Sequence, residues 1–482
     1  MILKVNNNMN GDGIMKKYDT IVVGAGFAGL ICAGYLAKGG QKTLLLEKST
    51  VIGGRAAAHP VDGFNPVMHL PLVMTTMNDG GGYGWANAAK EFGANVKLHY
   101  SREPRVYIKG SENPELVIPR CLTAEAAVDW MIEFLKAARP EMVHDDLKSI
   151  LIPVIDEIFR KPFKEMCEEW DEISVKDWVQ ERTVDPSVQY IFTALMSGFC
   201  WTCNADVTWE MGSAAKGFVM LRIWMGSQGV MACAVPDLQH GICEPIADAI
   251  KKNYGCEIKT NAEVSQVLIE NGKIIGVAAG DEVIHADNVV LATTNLDLFK
   301  FFEEVPPTLA DTLQQAMKPN MGSTFMMYFL NDSCKLDGAF TLCYDPKSGS
   351  VIQGGCAQNV EQPWCAPEGK QFIWAYSVRA EEEFKRLGLE GIAAEVEENL
   401  ELLYPGFHNA LESKTPPKGG CYPSHYRFTS LPKVHIKSPD VEGLYFAGEY
   451  AWPMYGLITD GTASTGALAA KMILGLDEMA GL

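Results

Sequence analysis

Residues 18–47 read YDTIVVGAGFAGLICAGYLAKGGQKTLLLE, and this stretch decides the fold of the first part of the chain. A short β-branched strand, a helix and a second apolar strand follow one another, which is the order of a βαβ unit. Gly24, Gly26 and Gly29 form a G-x-G-x-x-G turn before the helix, and Glu47 ends the second strand. Such glycines allow a tight turn and close approach to a pyrophosphate, while the acid accepts hydrogen bonds from a ribose. The segment therefore predicts dinucleotide binding.

The composition of the chain narrows the range of functions. With 41 basic and 60 acidic residues among 482, the formal net charge is −19, so we expect no nucleic-acid partner. Apolar residues make up 47% of the chain, which is enough for a large core. No run of about 18 apolar residues occurs, which argues against a membrane-spanning helix. Residues 1–16 are polar without an apolar signal-peptide core, and we expect them to form a flexible extension.

Two further segments extend the first motif. Gly53-Gly54-Arg55 follows Glu47 after five residues, and residues 443–449 read GLYFAGE, with a G-x-x-S-x-G pattern at 461–466. The three segments, in this order and at these separations, resemble the flavin amine oxidase superfamily. Within it, the chain is most similar to the phytoene desaturase and carotenoid isomerase branch. This resemblance covers essentially the whole chain and implies FAD as the cofactor.

The resemblance also implies a role for each matching residue. The glycine turn and the Gly-Gly-Arg segment would follow the phosphates, Glu47 the adenosine ribose, and the backbone of Val264 the adenine. Thr459 and Asp460, at the start of the last helix, would lie beside the N1–C2=O edge of the flavin. FAD would be held non-covalently, because no cysteine or histidine stands beside Glu449 or Thr459. The candidate cofactor residues are Gly24, Ala25, Gly26, Phe27, Ala28, Gly29, Glu47, Lys48, Gly54, Arg55, Val264, Gly448, Glu449, Thr459 and Asp460.

We predict an α/β fold. It combines a Rossmann-like FAD-binding domain, of the glutathione-reductase type, with a discontinuous α+β substrate domain. The FAD-binding domain would consist of residues 17–100, 226–300 and 435–482. The substrate domain would consist of residues 101–225, a helix-rich insertion, and 301–434, which mixes strands and a helix. Capping signals support helices after Thr123, Ser174 and Asp185, and an Asn271-Gly272 pair predicts a hairpin turn.

Candidate catalytic residues are fewer, and each has an ordinary structural alternative. Trp452 and Tyr455 would wall the substrate cavity, or simply pack their loop. His69 and His240 lie in two segments that depart from the family pattern; they are candidate general acids or bases, or satisfied structural histidines. Lys318 is a weaker candidate for a lysine near flavin N5, because its neighbours do not match the pattern of amine-oxidising relatives.

Three other features also allow two interpretations. The methionine-rich segments 73–77 and 323–329 suit an adaptable apolar tunnel or an ordinary core. The basic and aromatic segment 157–164 would contact a membrane surface, or form a solvated helix face. Cys200 and Cys203 supply two thiols where a structural zinc needs four ligands, so we expect no metal. Thirteen cysteines in a chain of this length indicate free thiols in a reducing cytoplasm.

The resemblance predicts an FAD-dependent oxidoreductase that moves a hydride between flavin N5 and a carbon of a small apolar or lipid-like substrate. Desaturation, saturation and isomerisation all remain open, as does the electron acceptor. Amine oxidation is the first alternative, and a non-catalytic flavoprotein is the second. Ile458 favours C–C chemistry, because amine-oxidising relatives place an aromatic residue at this position.

Overall fold

The computed structural model describes residues 17–58, 60–64, 72–76, 84–100, 103–199, 205–225, 229–317, 321–338, 340–422 and 429–476. The predictions for residues 1–16, His69, Lys318, Cys200 and Cys203 lie outside these ranges. Among the helices within them, none is both long enough and apolar enough to cross a membrane.

The strands of the described ranges are β1 (Lys17–Val23), β2 (Thr43–Leu46), β3 (Leu72–Thr76), β4 (Leu98–Tyr100), β5 (Arg105–Ile108), β6 (Glu115–Val117), β7 (Gly229–Ala234), β8 (Glu257–Lys259), β9 (Val264–Glu270), β10 (Lys273–Ala279), β11 (Glu282–Leu291), β12 (Met321–Asn331), β13 (Thr341–Asp345), β14 (Ser350–Cys356), β15 (Lys370–Ala380), β16 (Leu411–Lys414), β17 (Lys418–Tyr422), β18 (Val434–His435), β19 (Leu444–Phe446) and β20 (Ala451–Trp452).

The α-helices of the same ranges are α1 (Phe27–Lys38), α2 (Trp85–Phe92), α3 (Ala124–Ala138), α4 (Leu147–Arg160), α5 (Phe163–Glu169), α6 (Val175–Gln180), α7 (Pro186–Phe199), α8 (Ala205–Met211), α9 (Ala214–Trp224), α10 (Glu244–Tyr254), α11 (Pro307–Ala316), α12 (Gln358–Glu361), α13 (Glu381–Leu403), α14 (Phe407–Ala410) and α15 (Ile458–Leu474). A break at Gly388, with a φ of 67°, divides α13. Short 3₁₀ turns span Gly54–Ala56, Pro140–Met142, Asn295–Phe301 and Pro363–Cys365, and a π-helical turn spans Gln239–Cys243.

The first sheet has the order β8-β2-β1-β11-β10-β9, with β19 on β11. Strands β8, β2, β1, β11 and β19 are mutually parallel, whereas β10 is antiparallel to β9 and β11. The crossover helix α1 is almost wholly buried and packs against α15, which explains its nearly continuous apolar sequence. Because carboxyl ends of parallel strands meet at one edge, the loops after β1, β2, β11 and β19 converge there.

The second sheet has the order β16-β12-β15-β14-β13-β5-β6, with β17 on β12. Its two longest strands, β12 and β15, are antiparallel partners over their full length. Successive side chains of a strand point to opposite faces, so one face of this pair carries Phe325, Trp374 and Tyr376. The other face carries Met326 and Ile373, which pack into a separate core with α13.

The helix-rich insertion forms seven α-helices, α3 to α9, within its described ranges. The capping predictions are confirmed: the hydroxyl of Thr123 accepts from Ala126 N at 3.2 Å, and that of Ser174 accepts from Asp177 N at 3.0 Å. Asp185 Oδ1 accepts from Ser187 N at 2.9 Å at the start of α7. The last of these helices, α9, is buried along its whole length and forms the centre of the insertion.

The segment 157–164 presents few free cations to a membrane. Lys161 Nζ pairs with Glu169 at 2.6 Å, and Arg160 Nε pairs with Asp156 at 2.8 Å. The ring of Phe163 is buried beneath the guanidinium of Arg222. These contacts favour the solvated-face interpretation, and membrane contact stays a prediction. The predicted domain boundaries also stay a prediction.

Candidate cofactor and substrate site

A cavity of about 900 Å³ lies at the carboxyl edge of the first sheet. Its lining combines the loops after β1, β2, β11 and β19 with side chains of β12 and β15. This volume is near the upper end of the roughly 300–1,000 Å³ range of ligand sites. The predicted cofactor residues in the lining are Gly24, Gly26, Phe27, Ala28, Glu47, Lys48, Gly54, Arg55, Val264, Gly448, Glu449 and Thr459.

The three glycines of the first turn have three separate structural roles. Gly24 has a φ of 102°, and a Cβ there would lie 2.6 Å from Ala292 O. A Cβ at Gly29 would lie 1.8 Å from Gly24 O, so this glycine lets the helix touch the turn. A Cβ at Gly26 would meet only Gly53 O, at 3.9 Å. The space beside Gly26 is therefore open toward the cavity, as a pyrophosphate requires.

The amino end of α1 provides donors for an anion. No side chain caps this helix, whose first residues, Phe27 and Ala28, both line the cavity. The first-turn N–H groups of a helix lack intrahelical acceptors, and the helix dipole adds partial positive charge there. The residues present thus fit a bound phosphate group.

The Glu47 carboxylate is held in place by the backbone. Its two oxygens accept from Ala25 N at 2.8 Å and Ser49 N at 2.9 Å. Its own backbone bonds to Lys259 O and Ala262 N, which ties the end of β2 to the strands beside it. These two bonds to the side chain leave acceptor positions open, because a carboxylate has about four of them. Glu47 can therefore also accept from a ribose hydroxyl.

An ion pair joins the second and third motifs across the cavity. Arg55 Nη1 lies 2.7 Å from Glu449 Oε1, and both residues line the cavity. The negative charge of Glu449 raises the pKa of Arg55 above its ordinary value. Gly448 N donates to Thr465 Oγ1 at 2.8 Å, which anchors the third motif to α15. The pair brings a cation to the path that phosphates would follow.

The remaining lining is largely aromatic and aliphatic. Phe325, Trp374 and Tyr376 come from the second sheet, with ring centroids between 5.5 and 6.4 Å apart. Ile458 lines the cavity from the start of α15, with a φ of 49°. Positive φ is a genuine outlier for a β-branched residue, and such residues concentrate at functional sites. Among the described residues of the lining, none is a cysteine or a histidine.

Three predicted cofactor residues do not line the cavity. Ala25 donates its N–H to Glu47, and Gly29 packs against Gly24, so both shape the site indirectly. Asp460 is buried, and its Oδ1 accepts from Trp85 N at 3.1 Å. Its carboxylate thus receives the first turn of α2, and its position beside the flavin edge stays a prediction.

The described catalytic candidates also lie away from the cavity lining. The hydroxyl of Tyr455 donates to Glu168 at 2.6 Å, while Trp452 packs edge-on against His435. Tyr455 is thus turned toward the helical insertion and Trp452 toward β18, which is the physical reason that neither lines the cavity. His240 lies on the π-helical turn, with Nδ1 2.7 Å from Asp237 Oδ2, and is half exposed. His69 lies outside the described residues.

The aromatic wall was not predicted from the sequence. The segment 323–329, which contains Phe325, was considered for an apolar tunnel because of its methionines, but Phe325, Trp374 and Tyr376 were not themselves candidate site residues. The alternation of Trp374 and Tyr376 in the run QFIWAYSV is visible in the sequence and would have suggested one shared face. Which layer this face meets depends on the packing of the second sheet against the first.

The fold and the cavity define a flavin-containing oxidoreductase. The chain matches the model of the family described as flavin containing amine oxidoreductase over residues 27–474, and it belongs to that family. The predicted resemblance, the α/β fold class and the prediction of a flavin enzyme are thereby confirmed.

Particular relatives are distant in sequence. The chain is 21% identical to a chloroplastic prolycopene isomerase of Daucus carota, over 99% of the chain and 84% of that protein. It is 24% identical to a 15-cis-phytoene desaturase of Capsicum annuum, over 95% of the chain and 78% of that protein. An oxidoreductase from Methanosarcina mazei shares the fold with a TM-score of 0.69 and 19% identity, over 95% of this chain and all of that one.

Proposed function

We propose that the protein binds FAD non-covalently and exchanges a hydride between flavin N5 and a carbon of a small apolar, unsaturated substrate. Desaturation, saturation and redox-neutral isomerisation all fit this chemistry. The observation that carries the proposal is the division of one cavity into two chemically different parts. The glycine turn, Glu47 and Arg55 form a polar part, and Phe325, Trp374, Tyr376 and Ile458 form an apolar part.

Each part has a physical role. Open space at Gly26 and the amino end of α1 suit a pyrophosphate, and the fixed Glu47 carboxylate suits the ribose of an adenosine. FAD, when bound, supplies the atom that accepts or returns the hydride. The aromatic wall excludes water and orients a flat carbon chain, while Ile458 contributes an aliphatic surface.

The choice of C–C chemistry rests on the apolar part of the lining. A hydrocarbon loses little favourable hydration when it enters an apolar surface of this kind. A cationic amine loses its hydrogen bonds to water there and finds few replacements. The carotenoid names of the relatives support the same direction, and a fatty acid isomerase from P. acnes shares the fold with a TM-score of 0.57 and 12% identity. We further propose a cytoplasmic location with peripheral membrane contact, and an electron acceptor whose chemical class is open.

The cofactor is tested by acid precipitation of the pure protein. All yellow colour should pass into the supernatant as FAD, without FMN, because no described residue of the lining is a cysteine or histidine that could attach it. Colour retained in the pellet would contradict non-covalent binding, and the absence of FAD from protein refolded with excess cofactor would contradict the proposed site.

Amine oxidation is the second candidate, and one observation favours it. The faces of Trp374 and Tyr376 can attract a cation. A putrescine oxidase also shares the fold, with a TM-score of 0.59 and 15% identity. Anaerobic stopped-flow reduction by amines, amino acids, unsaturated acids and isoprenoids separates the two. Bleaching by a primary amine alone would reverse the assignment to C–C bonds.

A further inference from the structure

A strained segment leads into the cavity. Between Met454 and Ile458, two of five residues have positive φ: Gly456 at 98° and Ile458 at 49°. A Cβ at Gly456 would lie 3.3 Å from both Asp460 Cβ and Gly461 N, so the segment folds back onto the first turn of α15. A β-branched residue keeps such a conformation only when its surroundings impose it. Ile458 lines the cavity, and its position therefore depends on the contacts that fix this segment.

A buried lysine of the helical insertion supplies one of these contacts. Lys216, on α9, has no exposed surface, and its Nζ donates to Met454 O at 3.1 Å. Ser464 Oγ accepts from Tyr455 N at 2.9 Å, which fixes the next residue from the side of α15. The segment is thus held from two directions. The contact from Lys216 joins residues 238 positions apart in sequence.

The charge of Lys216 is balanced within the same buried cluster. Asp171 Oδ1 lies 3.5 Å from Lys216 Nζ and accepts from Ser213 Oγ at 2.9 Å. Lys433, a second buried lysine that Asp171 also attracts, donates to Thr429 O and Leu431 O, each at 2.6 Å. A buried ion pair is a weak source of net stability, because desolvation offsets most of the attraction. A positional role therefore explains the buried pair better than a contribution to stability.

We propose that Lys216, oriented by Asp171, is a positioning residue that fixes Ile458 at the cavity through the carbonyl of Met454. The inference deepens the proposed function, because it assumes that the cavity holds flavin and substrate. Lys216 itself is not part of the cavity lining. Through Lys216, the packing of the helical insertion determines where the Ile458 side chain lies in the cavity.

The test uses the double variant Lys216→Met/Asp171→Asn. Removing both charges avoids the uncompensated buried carboxylate that a single substitution would leave. Arg222→Met is the matched control, because Arg222 lies on the same helix, is equally buried, and donates to Lys161 O rather than to the strained segment. Both variants lose a buried cation of α9, so a purely structural effect should be similar in the two.

Hydrogen exchange measured without flavin tests the coupling itself. Peptides covering residues 450–461 should exchange about tenfold faster in the double variant than in wild type, as for a locally opened segment, and should be unchanged in Arg222→Met. Equal protection in all three proteins, or equal loss in both variants, would overturn the inference. Because this measurement needs no cofactor, failure of FAD binding would contradict only the proposed function.

The consequence for the site is measured with FAD added. The double variant should bind a full equivalent of FAD but show altered flavin absorption and fluorescence, whereas Arg222→Met should match wild type. A double variant with a wild-type flavin spectrum and wild-type exchange would overturn the positioning role.

Discussion

A side chain added at Gly26 should affect ligand binding without affecting folding. Its φ of −80° is open to any L-residue, and an added Cβ would contact almost no protein atom. Gly29 is the opposite case, because its Cβ would overlap the backbone oxygen of Gly24. The two positions are therefore a matched pair within one motif.

Gly26→Val should abolish FAD retention while leaving the unfolding temperature of the apoprotein close to that of wild type. The side chain would occupy the open space that the pyrophosphate needs. Gly29→Ala, by contrast, should lower the unfolding temperature as well. Released FAD is measured by absorbance and apoprotein unfolding by circular dichroism. Stoichiometric FAD in Gly26→Val would exclude the glycine turn as the phosphate site.

Arg55→Met should weaken FAD binding by roughly tenfold or more, the size expected when a charge-assisted hydrogen bond is lost. It also removes the guanidinium that neutralises the Glu449 carboxylate beside the proposed phosphate path. The double variant Arg55→Met/Glu449→Gln should recover part of the affinity, because that repulsion is removed. Titration of apoprotein with FAD, followed by fluorescence quenching, gives both dissociation constants. Equal affinity in wild type and Arg55→Met would contradict the assigned phosphate contact.

At the scale of elements, successive side chains of strand β15 point alternately to the cavity and to the layer beside α13. Trp374 and Tyr376 line the cavity, while Ser377 and Arg379 lie in the buried layer beside α13. Arg379 bonds there to Glu383 and to Glu395 at 3.0 and 2.9 Å. One strand thus carries an apolar wall and a charged anchor, and its register fixes both.

Gly354 on β14 provides the space in which the ring of Tyr376 lies. A Cβ there would come within 2.4 Å of that ring. Gly354→Ala should therefore displace the ring, leave FAD binding unchanged, and alter binding of any apolar ligand. The double variant Gly354→Ala/Tyr376→Leu should regain the stability that the single variant loses. Thermal unfolding and FAD titration test this, and a single variant with wild-type stability would contradict it.

At the scale of the whole molecule, buried thiols tie stability to pH. Seven described cysteines have raised pKa values, chiefly because burial disfavours the thiolate. Burial raises the pKa of Cys256 and of Cys343 to about 12. Unfolded thiols ionise near pH 8.5, so above this value the unfolded state holds fewer protons than the folded state.

The free energy of unfolding should consequently fall as the pH rises from about 8.5 toward 10.5. Each buried thiol adds to this fall between its unfolded and its raised folded pKa. Lys433 opposes this trend above pH 8, because burial lowers its pKa to about 8, but one lysine offsets few of the thiols. Urea unfolding under reducing conditions should show a shallower pH slope in Cys343→Ala. A flat profile between pH 8.5 and 10.5 would rule out this explanation.

The sequence predicted much of the polar part of the cavity lining, for a local reason. The glycine turn, the second strand and Glu47 are close in sequence, so their pattern alone indicates how they lie in space. Twelve of the fifteen candidate cofactor residues line the cavity. Ala25 and Gly29 lie within the turn itself, whereas the positions of Asp460, Trp452, Tyr455 and His240 depend on contacts that their side chains make with distant elements.

The sequence by itself thus determined the βαβ unit, the flavin family and the glycine turn, because each is encoded in motifs of short, fixed spacing. Only the tertiary structure decided which side chains form the apolar part of the cavity lining. Phe325 and Trp374 lie on one face of β12 and β15, and this face becomes a wall because it lines the same cavity as the loops of the first sheet. Ile458 takes its strained position through Lys216, a residue more than 200 positions away. Contacts between such distant residues arise from packing, and no local pattern specifies them.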